Sequence, residues 1–160
     1  MTTLLISLAL FTVLPLALLL ALKTNAGIMF LATCAGFVLL ESLDPTVVTT
    51  AGAIVPGEGE AFVRLAVVLL SVIFAGVMFR HAVKNSQLPL HIAIAIFIGI
   101  TLVLILPAST GVSWLLDTTK ESMWQDVNDY RTLVIAGGFS LSLLAILLSK
   151  QSKHGKDKHK

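Results

Sequence analysis

FVRLAVVLLSVIFAGVMFRHAVK, residues 62–84, has one arginine near its start, Arg64, and ends in the basic cluster Arg80, His81 and Lys84. From Leu65 to Phe79 it carries no charge. As a helix, Phe62 to Phe79 reaches about 27 Å at 1.5 Å per residue, close to the roughly 30 Å hydrocarbon core of a bilayer. Composition points the same way: 56% of the residues are apolar, 12% are charged and the mean hydropathy is +0.94. A soluble domain of 160 residues could not bury that much apolar surface, so the chain is read as an all-α integral membrane protein.

Working outward from residues 62–79, four further apolar stretches predict spans over 3–22, 26–43, 90–109 and 132–149. The second is the shortest. Its core, AGIMFLATCAGFVLL, reaches only about 22 Å, and it is expected to run on through Glu41, Ser42 and Leu43 and to stop before Asp44-Pro45, where the proline ring disfavours helix. If it does not cross, the number of spans is four. Pro15 predicts a kink in the first span, which is read as retained: it lacks a basic leader and its apolar stretch exceeds that of a signal peptide.

Basic residues in short loops mark the cytoplasmic side. With the N-terminus outside and five crossings, the cytoplasmic segments hold Lys23, Arg80, Lys84, Lys150, Lys153, Lys156, Lys158 and Lys160, against Arg64, Lys120 and Arg131 outside. That eight-to-three division places Phe62 at the outer end and the 150–160 tail in the cytoplasm. The expected organisation is a single transmembrane domain over 1–149 followed by a basic tail, in a cytoplasmic or inner membrane. The tail could contact anionic lipid or an acidic partner. No nucleic-acid partner is expected.

Two longer outer loops differ in character. Residues 41–61 are rich in Thr, Val and Ala between Pro45 and Pro56. They are expected to lie extended over the helix ends, with a re-entrant segment over 44–56 as the alternative. In the other, Val112, Leu115, Leu116, Thr119 and Met123 recur at near-helical spacing and predict an amphipathic surface helix. Trp114, Trp124 and Tyr130 fit an aromatic belt at that interface. Glu60 and Arg64, four residues apart, are expected to pair there on one helix face.

Close helix approach in lipid depends on small residues. Ala32 and Gly36 in the second span and Gly137, Gly138 and Ser142 in the fifth are the candidates, with the fifth span expected to make a tight contact within the chain or with a partner helix.

The search for chemistry finds no phosphate loop, no HExxH and no GxSxG. Cys34 is the only cysteine, which excludes an internal disulfide and a multi-thiolate metal site. His81 and His91 flank the turn between the third and fourth spans and are the only candidates for holding a cofactor. Both are expected at the water boundary, too shallow for the dry pocket that surrounds haem, so neither a cofactor nor a metal is expected. Carriers and pumps place ionisable groups at membrane depth, whereas the centre of each span here is uncharged. The expected function is therefore non-catalytic: an accessory, structural or assembly subunit of a larger membrane complex.

In length and hydropathy the chain also resembles phage holins, and it is similar in size to four-span colicin V production-type proteins. That resemblance implies a homo-oligomeric pore, for which Thr33, Ser71, Thr101, Ser140 and Ser142 would supply the polar lining.

Overall fold

A computed structural model of the protein describes residues 2–54, 57–80, 87–120 and 122–154. Its elements are α-helices: α1 (Thr2–Leu22), α2 (Ala26–Ser42), α3 (Pro45–Gly52), α4 (Gly59–Met78), α5 (Leu88–Thr110), α6 (Ser113–Thr119), α7 (Ser122–Asp129) and α8 (Arg131–His154). Four of them, α1, α4, α5 and α8, are long and apolar enough to cross a membrane. The 17-residue α2 is followed directly by α3, bent 96° away from it.

Local chemistry sets the boundaries. Between α1 and α2 the chain reverses in three residues by putting Lys23 in the left-handed region, at φ 51°. Asn25 then caps α2, its side chain accepting from the Gly27 amide at 3.0 Å, which satisfies one of the donors a helix start leaves open. At the far end of α2, Asp44 is extended, as the residue before a proline prefers, and becomes the cap of α3: its carboxylate accepts from the Thr46 amide at 2.8 Å and from the Thr46 hydroxyl. Pro45 occupies the first turn of α3, where its missing N–H is no loss. The extended conformation expected for this stretch is thus corrected over Pro45–Gly52, which is helical. Pro56 of the same loop lies outside the described residues.

α5 forms the middle of the bundle and packs against α1, α2, α4 and α8. Ile94, Ile98, Leu102 and Leu106, one every four residues, are fully buried along it. Glycines permit the closest crossings. A Cβ on Gly99 would stand 2.9 Å from the Thr12 Cα of α1, and one on Gly36 would stand 2.9 Å from the Ser71 Oγ of α4. Since Leu19 packs with Ala95 while Thr12 meets Gly99, α1 and α5 run antiparallel.

α3, α6 and α7 gather at one end of the bundle, here the capped end. Gly52 of α3 abuts the Glu60 backbone at the start of α4. Glu58 links α4 to α6 by accepting from the Ser113 amide at 3.1 Å, and hydrogen bonding from the Ser113 side chain, together with this amide, holds its carboxyl below the usual glutamate range. The Asp44 carboxyl is lowered by its bonds to Thr46 in the same way. The single surface helix expected over 112–123 is instead two short helices, broken at Lys120. Its buried face is Val112, Leu115 and Thr118, whereas Leu116 is exposed.

Two tryptophans hold the cap down. Pro107 has no N–H, so within α5 it leaves the Val103 carbonyl without its helical donor. The Trp124 indole reaches that carbonyl from α7, donating at 3.4 Å. Trp114 of α6 stacks on Phe11 of α1, ring centroids 6.2 Å apart and planes 9° from parallel. Both rings are thus turned onto the bundle, while Tyr130 stands 63% exposed.

Candidate functional site

The small residues of α8 are used inside the chain. A Cβ on Gly138 would collide with the Phe30 ring of α2, and one on Gly137 would touch the Phe97 ring of α5 at 3.4 Å. Ser142 is fully buried, and its backbone oxygen lies 2.8 Å from where a Gly27 Cβ would be. The face of α8 left open presents large side chains, among them Leu133, Phe139, Leu143 and Leu147. Gly138 is thus taken up by α2 and Gly137 by α5, so the tight contact expected for the fifth span is made within the chain. Ala32 and Gly36 lie on the α4 side of α2, sharing a shallow apolar groove with Ser71 and Ala75.

Gly27 and Ser142 meet near the Lys23–Asn25 turn, and Phe30 lies over Gly138. Toward the capped end α2 and α8 both border a cavity of about 470 Å³, lined by Phe37, Val38, Leu40 and Glu41 of α2 and by Arg131 and Ile135 of α8. Leu104, Ile105 and Ala108 of α5 also line it, and Arg64 of α4 reaches in beside Ser109. A second hollow of about 580 Å³ continues past Arg64 toward Gly57, Glu58 and Glu60.

Arg64 is half-buried, and its Nη1 donates to the Ser109 carbonyl at 3.5 Å. Ser109 belongs to the last turn of α5, where carbonyls lack intrahelical donors and the helix dipole is negative, so a guanidinium is well placed there. Among the described residues no ion pair joins Arg64 to Glu60; the one pair present there is Lys120 with Asp117 at 2.8 Å. Glu60 is exposed, its backbone held against Gly52 of α3. Arg131, exposed at the first position of α8, was not singled out from the sequence. The available signal was its place at the start of a span on the same side as Arg64.

His91 is fully buried, and neither ring nitrogen has a hydrogen-bond partner among the described residues. This corrects the expectation of a hydrated ring at the boundary. It shares a helical face with Leu88 and Ala95, three and four residues away, and those residues pack against the end of α1 at Leu19. His81 lies outside the described residues. No group of three or more His, Cys, Asp or Glu among the described residues is placed to hold a metal. The hydroxyls of Thr33, Ser71, Ser140 and Ser142 bond carbonyls four residues back in their own helices, at 2.6–2.9 Å; that of Thr101 is buried without a partner.

No protein-family description, no curated protein and no solved structure matches the chain.

Proposed function

We propose that the chain is a non-catalytic, multi-pass membrane protein with five crossings, its N-terminus outside and its C-terminus in the cytoplasm, serving as a structural or assembly subunit of a larger membrane complex. Several contacts support counting α2 as a crossing. α2 runs antiparallel to α8, with Gly27 near Ser142 and Phe30 near Gly138. α1 and α4 run in the same direction, with Leu18 near Gly76. That alternation is what five successive crossings require. At about 25 Å, α2 is a few ångströms short of the core, and α3 turns aside where it ends.

The observation that carries the subunit reading is the filled interior. Phe30 and Met29 of α2, Val68 and Val72 of α4 and the Ile94 to Leu106 row of α5 are fully buried together. A core of this kind supplies rigidity and shape, which suits a packing element. A homo-oligomeric pore would need hydroxyls free to face water between copies. Four of the five candidates are bonded to their own helices, and Thr33 and Ser142 are buried.

Extraction of the protein from its native membrane in mild detergent tests the proposal. Co-elution with other membrane chains in fixed ratio is the expected result. A self-oligomer alone, with dye leakage from vesicles that contain only this chain, would overturn it.

A further inference from the structure

We infer that the cavity bordered by α2, α4, α5 and α8 at the capped end is a phospholipid site, with Arg64 and Arg131 holding the phosphodiester and the apolar wall below them taking part of an acyl chain. The inference rests on the membrane-spanning reading and is independent of which side of the membrane the capped end faces.

Four features of the cavity converge on that ligand. Its wall changes character along the bundle: Phe37, Leu104, Ile105 and Ile135 line the part toward mid-membrane, while Glu41, Arg64 and Arg131 stand at the end that meets water. An amphiphile whose charge sits one step above its hydrocarbon matches that gradient, whereas a free anion would leave the apolar wall uncovered. The charges also match. Two guanidinium groups and one carboxylate sum to +1, the complement of one phosphodiester. Neither arginine has a carboxylate within ion-pairing distance among the described residues, so both keep N–H donors for a planar, two-point contact of the kind arginine makes with phosphate. The volume of about 470 Å³ falls within the range of small-ligand sites. Finally, the arginines come from different helices, α4 and α8, and line the same cavity. A headgroup there would bridge the two.

The experiment uses the full-length protein in a maltoside detergent, titrated with a short-chain phosphatidylglycerol, the corresponding diacylglycerol and inorganic phosphate, with thermal unfolding as the readout. Stabilisation by the phospholipid alone is expected. The Arg131→Gln variant, which breaks no side-chain hydrogen bond among the described residues, should bind about tenfold more weakly, the loss of one charge-assisted contact. Arg64→Lys should weaken binding similarly while keeping the charge, because lysine lacks the planar fork. Equal stabilisation by diacylglycerol would reduce the site to an apolar groove. Equal stabilisation by inorganic phosphate would make it a free-anion site. Unchanged phospholipid affinity in a folded Arg131→Gln protein would remove the arginines from it. Each of these three results overturns the inference. If the phospholipid binds but the chain fails to fractionate with membranes, the spanning reading fails separately.

Discussion

Two residues occupy positions that their chemistry does not favour. Lys23 adopts a left-handed backbone, which costs a side-chain-bearing residue about 1–2 kcal/mol. Glycine would remove that cost, so Lys23→Gly should raise stability in detergent by about 1 kcal/mol, read as an upward shift of the thermal midpoint. The same change deletes the one basic residue of its turn. In cells, therefore, the variant should show a fraction of chains with α1 and α2 inverted, although it is more stable once purified. An unchanged midpoint would mean that the turn is not strained. His91 is the second case. A buried ring whose two nitrogens have no partner among the described residues lowers stability by about 1–3 kcal/mol, so His91→Leu, similar in bulk and apolar, should leave the fold as stable or more stable. If the variant is stable but the complex it joins is lost or inactive, the histidine is retained for a role that stability does not explain.

Among the elements, the long helices were legible in the sequence because lipid imposes one simple condition on them, an uninterrupted apolar length. Boundaries read for the second and fourth spans fall within two residues of α2 and α5. α3 was missed although its signal is local: Asp44-Pro45 is a helix cap followed by a first-turn proline, and it was read only as the stop of the preceding span. The contacts of α8 were legible in type but not in direction, since small residues mark close approach without saying to what. The arginine-lined cavity was not legible at all, because it depends on how α2, α4, α5 and α8 pack together, a property of no single stretch of sequence. The joints of the cap lead to a pH test. Glu58 and Asp44 titrate below their ordinary values in the folded protein, so their contribution is complete above the ordinary carboxylate range of about 3.9–4.3 and is lost as pH falls through the lowered values. Acidification should therefore loosen α3 and α6 first. Glu58→Gln with Asp44→Asn keeps an acceptor at each site and should flatten the pH dependence of amide exchange in these two helices. Persistence of the dependence would place its origin elsewhere.

For the whole molecule the decisive quantity is which end meets the cytoplasm. Cys34, half-buried in α2, is replaced by serine so that single cysteines can report. Gln125, exposed on α7, serves as the reporter at the capped end. Gln125→Cys should react with an impermeant thiol reagent in intact cells, and Ser152→Cys should react only after permeabilisation. The reverse pattern would invert the proposed topology, and labelling of both from outside would remove α8, the span that separates them, as a crossing.

The docking of Trp114 on Phe11 and of Trp124 on Val103 also has an optical consequence. These are the only two indoles of the chain, and both belong to the cap, so emission and near-ultraviolet dichroism come chiefly from α6 and α7 while the far-ultraviolet signal comes chiefly from the spans. A red-shifted emission at constant helical signal would thus mark the cap lifting from an intact bundle. The protein contains its own label for that event, and Trp124→Phe and Trp114→Phe would assign the signal to each of the two docking points in turn.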